Sequence, residues 1–127
     1  MSVAVSNLQP HVSRAVALKA LERITRRWGL GRRHLPFLLA RPARTVRSWY
    51  EHHQGVDLDQ DVLERISHVV GIYDGLHRLF GDQEYADRWV SEPNAAFNMK
   101  PPRELLLTGS FTALVEVRRY IEIALQR

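Results

Sequence analysis

The longest regular run of apolar positions lies in the middle of the chain. Val62, Ile66, Val69, Tyr73, Leu76 and Phe80 step by 4, 3, 4, 3 and 4 residues, a spacing that puts side chains on one face of an α-helix. Leu63, Val70, Ile72 and Leu79 widen the stripe, so this helix is expected to be central and to meet neighbours on more than one side. Asp57, Asp59 and Asp61 lie at its start, where the helix macrodipole favours negative charge. Gly71 and Gly75 cost roughly 1 kcal/mol each relative to alanine. Standing four apart on one face, they permit close contact with another helix. Gly81 ends the helix, and Asp82 is placed to cap a short amphipathic one from which Tyr85, Trp89 and Val90 can reach the core.

Upstream, Ala17, Leu18, Leu21, Ile24 and Trp28 define one face of a helix over 14–28, with Ser13 as its cap and Gly29 and Gly31 as its stop. Residues 1–12 lack sustained periodicity and read as a flexible arm. Over residues 30–53, Leu35, Leu39, Val46 and Trp49 fall at offsets 0, 4, 11 and 14, the buried skeleton of a helix-turn-helix. If Val46 and Trp49 point inward, Ala43, Arg44, Thr45, Arg47 and Ser48 lie at the start of the second helix, and Arg32 and Arg33 precede the first. Short polar groups and arginines there can meet base edges or phosphates. Three positions depart from the usual pattern. Pro36 stands where a small residue is common and bends the helix unless it lies in the first turn. Ala40 replaces a turn glycine, and Arg41-Pro42 leaves the second helix without a side-chain cap.

Downstream, Pro101-Pro102 opens a helix that continues through Leu107 and closes at Thr108-Gly109. Ser110 then caps a terminal helix, in which Leu114, Val115, Tyr120, Ile121, Ala124 and Leu125 recur at helical spacing. No stretch alternates as a strand would. The fold class is all-α: an arm at 1–12, a helix-turn-helix region at 13–56, a linking helix and possible dimer surface at 57–81, and a C-terminal helical domain at 82–127.

Charge sharpens this division. Residues 1–53 carry ten Lys/Arg against two Asp/Glu, whereas residues 54–127 carry eight against twelve. The basic front suits a polyanion, since each phosphate neutralised releases counterions; the acidic rear suits a different partner. There is no cysteine, which removes disulfides, thiolate metal sites and cysteine nucleophiles together. The six histidines form no i, i+4 pair or carboxylate cluster that a metal favours, and His52-His53, His68 and His77 sit apart. Glu104, Glu116 and Glu122 lie on solvated helix positions rather than in a catalytic constellation. No enzyme activity, metal or cofactor is expected. No apolar run approaches the ~20 residues of a membrane span, and a cytoplasmic location is expected.

The terminal 40 residues carry the most specific pattern: Trp89 before Pro93-Asn94, Phe97, Pro101, Leu105-Leu106, Gly109 and the run Val117-Arg118-Arg119-Tyr120. This layout resembles the C-terminal domain of Xre/MbcA/ParS antitoxins. Asn98-Met99-Lys100 replaces the glycine-containing pair that many members have before the proline, and asparagine can take the positive φ such a turn needs. The resemblance implies an antitoxin of a type II toxin–antitoxin pair, with the basic helix-turn-helix on operator DNA. It also implies that the C-terminal helix and tail, through Arg118, Arg119, Glu122, Leu125, Gln126 and Arg127, cover the NAD pocket of a RES-domain toxin. A homodimer within a larger complex is expected from the wide apolar surface of residues 58–80 and from operator symmetry. The alternative is a stand-alone repressor whose C-terminal domain only dimerises.

Overall fold

The computed structural model describes residues 14–52 and 58–127, and among them there are seven α-helices and no strand. They are α1 (Arg14–Arg27), α2 (Leu35–Leu39), α3 (Ala43–Glu51), α4 (Gln60–Leu79), α5 (Gln83–Arg88), α6 (Pro102–Leu106) and α7 (Phe111–Leu125), with single 3₁₀ turns at Arg32–His34, Trp89–Ser91 and Ala95–Phe97. The expected arm, the Ser13 cap and Asp57 lie outside the described residues.

The mid-chain stripe is the axis of the molecule. Val62, Ile66, Val69, Ile72 and Leu76 are fully buried, and α4 packs along α7 on one side and α1 on the other. Asp59 caps α4 by accepting from the Val62 amide at 2.9 Å, which satisfies one of the orphan donors of the first turn. Gly71 and Gly75 form the lane for α7. A Cβ on Gly75 would sit 2.7 Å from Ile121 Cγ2, and one on Gly71 would sit 2.5 Å from the Arg118 guanidinium. Arg65 meets Gly109 and Phe111 at one end while Gly75 meets Ile121 and Leu125 at the other. The two helices therefore run parallel, and α5, α6 and the 3₁₀ turns return the chain to the starting end. The apolar face of residues 58–80, expected as a possible dimer surface, packs against the chain's own α1 and α7.

α1 buries Ala17, Leu18, Leu21 and Ile24, as its periodicity predicts. It stops in a Schellman arrangement, with the Leu30 amide donating to Thr25 O at 2.8 Å and the Gly29 amide to Arg26 O at 3.0 Å around a left-handed Gly29. Pro36 does not bend α2. The helix begins only at Leu35, after a 3₁₀ turn, so proline occupies the first turn, where its missing N–H costs nothing. Ala40 adopts the left-handed conformation, φ 54°, in which glycine is commoner. Pro42 stands at the start of α3 with no side-chain cap.

At the C-terminal end, Asp82 caps α5, Asn94 accepts from the Ala96 amide, and Ser110 caps α7 from the Ala113 amide. Trp89 and Val90 are buried, but Tyr85 is not. Ala86 takes the inward position of that short helix, while Tyr85 lies edge-on against Phe80 at the surface, with the Arg88 guanidinium over its ring.

Candidate nucleic-acid and partner-binding faces

The first face is built by α3. Val46 is buried and Trp49 half-buried against the core, which turns Ala43, Arg44, Arg47 and Ser48 outward and leaves Thr45 half-buried. Tyr50 holds α3 in place: its hydroxyl donates to Leu18 O of α1 at 2.8 Å, and burial pushes its pKa well up, so it stays a neutral donor. Of the arginines expected here, Arg33, Arg44 and Arg47 have no ion-pair partner among the described residues and are exposed. Arg32 is engaged. Its Nε donates to Glu22 at 2.8 Å and its guanidinium lies 4.6 Å from the Tyr50 ring centroid, with the Glu22 hydrogen bond raising its pKa further. Arg41, in the turn, is drawn away from α3 and pairs with Asp59 at 3.0 Å and Asp61 at 3.2 Å.

The second face is built by α7. Leu114, Val117 and Ile121 face inward, and the six residues expected to bind a partner divide accordingly. Arg118 lies on α4 above Gly71, donating to Glu122 at 3.0 Å and approaching His68 Nδ1 at 3.3 Å. Leu125 packs beside Gly75. Glu122 is exposed but tied to Arg118. Arg119, Gln126 and Arg127 remain open to solvent. His68 sits edge-on to Phe111, and burial first, then the Arg118 charge, hold its pKa below the usual value.

Three apolar side chains are exposed on this side, Ile123 (44%), Met99 (62%) and Tyr120 (40%), although the helical pattern counts Tyr120 among the inward positions of α7 and marks neither of the others as surface. Ile123 carried a signal, because it falls out of phase with the Leu114–Val117–Ile121 stripe yet lies four residues from both Arg119 and Arg127. Tyr120 does two things at once. Its ring stacks on Trp89 at 6.0 Å and meets Phe97 edge-on at 5.4 Å, fixing the loop that carries Met99, while part of it stays exposed. That loop turns through two left-handed residues, Asn98 at φ 57° and Met99 at φ 65°. A methionine there is strained and exposed together. Among the described residues no group of His, Asp and Glu could hold a metal ion, and no helix is long and apolar enough to cross a membrane.

A basic helix-turn-helix packed on a small helical domain with one open cationic and apolar helix face defines a two-part binding protein. Residues 8–71 match the antitoxin Xre-like helix-turn-helix domain, and residues 76–123 match the antitoxin Xre/MbcA/ParS C-terminal toxin-binding domain. The chain belongs to the Xre/MbcA/ParS antitoxin family, which is not an enzyme family. Among its relatives, an uncharacterized protein named y4oB of Sinorhizobium fredii is 34% identical over 106 residues, which is 83% of this chain and 81% of that protein. The protein named antitoxin Xre of Pseudomonas putida is 33% identical over 76 residues, 59% of this chain and 46% of that one.

Proposed function

We propose that this antitoxin neutralises a toxin encoded beside it by laying the outward face of α7 over the toxin's working surface, and that the target is a RES-type enzyme that consumes NAD in the cytoplasm. The observation that carries the reading is the open face itself. Ile123 and Tyr120 supply apolar area between Arg119 and Arg127, and the strained Met99 loop adds a flexible apolar side chain suited to an irregular surface. Such a patch on a domain of toxin-binding type has the character of an interface core rimmed by charge. Neutralisation is occlusion, with no reaction by the antitoxin itself.

The α3 face meets operator DNA through Arg33, Arg44 and Arg47, with Ala43, Thr45 and Ser48 near the bases. Arg32 orients α3 through Glu22 and Tyr50 instead of touching phosphate. Two-fold operators call for a homodimer, and its interface lies away from the α4 stripe. Residues 82–127 are the toxin-binding part and the helix-turn-helix lies within 13–56. Co-expression with the product of the adjacent gene tests this directly. The expected result is a complex that survives gel filtration, restored growth and restored cellular NAD. A neighbour that remains toxic and purifies without this chain would refute it.

A further inference from the structure

Two turns from opposite halves of the chain meet at one seam. The α2–α3 turn, at the base of the DNA-facing helix, abuts the α6–α7 turn, which launches the partner-facing helix. A Cβ on Gly109 would lie 3.5 Å from Phe37 O and 3.8 Å from Ala40 Cβ. At this contact both turns are left-handed, at Ala40 and at Gly109 (φ 85°). Neither can be displaced without moving the helix it begins.

A line of charged contacts crosses the same seam. Arg41, in the α2–α3 turn, pairs with Asp59 and Asp61 at the start of α4. Asp61 also accepts from Arg65 Nε at 2.9 Å. Arg65, only 8% exposed, donates through Nη1 to Gly109 O at 2.9 Å, and its guanidinium lies 5.6 Å from the ring centroid of Phe111, the first residue of α7. A buried arginine is costly unless its donors are used. Here they are used to tie the two turns to one point on α4.

We propose that Arg65 is a positioning residue that couples the helix-turn-helix turn to the start of α7, so that a molecule held on the α3 face and one held on the α7 face alter each other's affinity. The inference rests on the function proposed above for those two faces. Coupling of this kind is reciprocal: whatever factor the protein partner imposes on DNA affinity, DNA imposes on partner affinity. It requires that the seam differ between the singly and doubly occupied states.

Two arms test it. In the first, binding of the full chain to a duplex from its own upstream region is titrated with and without saturating neighbour protein. Wild type is expected to show a shift of about fivefold or more. Arg65→Met should bring the shift close to one while each separate affinity changes less than twofold, and Arg65→Lys should retain part of it. The second arm needs no ligand. Amide exchange is compared at Arg41 and Val46, which donate to Pro36 O and Pro42 O, and in α1 as a control. In Arg65→Met, protection should fall several-fold at Arg41 and Val46 relative to α1, although Arg65 makes no hydrogen bond to either, with Arg65→Lys in between. An unchanged shift in Arg65→Met, no shift in wild type, or faster exchange confined to residues 109–113 would overturn the proposal. Wild type that binds neither molecule refutes the proposed function, and the exchange arm then decides the seam by itself.

Discussion

Ile121 occupies the space that a side chain at Gly75 would need, its Cγ2 lying 2.7 Å from where a Cβ on that glycine would sit. Ile121 is buried and cannot move aside. Gly71, one turn earlier, is crowded only by the tip of Arg118, which can swing into solvent. Gly75→Ala should therefore lose stability despite the helix-propensity gain of about 1 kcal/mol, because overpacking costs about 1–3 kcal/mol. Gly71→Ala should be neutral or stabilising. Urea midpoints of the two variants check this, and a Gly75→Ala protein as stable as wild type would mean that α4 and α7 are not in close contact.

His68 makes the α4–α7 contact sensitive to acid. It faces Phe111 and Arg118, with Glu64 and Glu122 nearby pulling its pKa the other way, and its folded value lies below the ordinary 6.5. Protonation is thus harder in the folded chain than in the unfolded one. The associated stability is intact above the unfolded value and is lost as pH falls through the folded one. Unfolding midpoints from about pH 7.5 to about pH 5 should fall less steeply for His68→Gln than for wild type. Equal slopes would remove His68 from the account.

Met99 pays backbone strain at a surface position where its side chain stays 62% exposed. Met99→Gly should raise stability by up to about 1 kcal/mol, since glycine takes a positive φ without penalty. The same change should weaken the complex with the toxin. A variant whose stability and complex affinity moved in the same direction would contradict the assignment of this loop to the partner face.

Arg33, Arg44 and Arg47, the arginines proposed to contact DNA, should each report on phosphate. Each phosphate neutralised contributes about 0.9 to the slope of log affinity against log salt, so Arg44→Ala and Arg47→Ala should each reduce the slope by about that amount. Arg32→Ala should leave it unchanged and lower stability instead, because its guanidinium is held by Glu22 and Tyr50. An equal slope change for Arg32→Ala would place it on the DNA.

Helix existence was legible in the sequence because it rests on local rules. The stripe from Val62 to Leu76, the Asp82 and Ser110 caps and the stop at Gly29 follow from spacing and capping chemistry, whereas Asp59 was legible only as favourable charge and not as the cap. The conformation of Pro36 depended on where α2 begins, which a 3₁₀ turn decides and periodicity does not. Tertiary packing is not set by those local rules. The breadth of the α4 stripe signalled that it was covered, but not whether by α7 or by a second chain. Arg118, expected on the partner face, and Leu125, placed both in the apolar stripe and on that face, lie half-buried against Gly71 and Gly75. The converse holds for Ile123 and Met99, whose exposure follows from helix phase and from a left-handed turn that sequence alone had assigned to Asn98.

The outward face of α7 can be tested without disturbing the core. Ending the chain at Gly109 would strip Leu114, Val117 and Ile121 from α4 and unfold it, whereas Arg119→Glu with Ile123→Glu alters only exposed positions. Co-expressed with the toxin of the adjacent gene, this folded double variant should fail to form the complex or restore growth, while Arg44→Ala/Arg47→Ala protects as well as wild type. Full protection by the folded Arg119→Glu/Ile123→Glu chain would contradict the account.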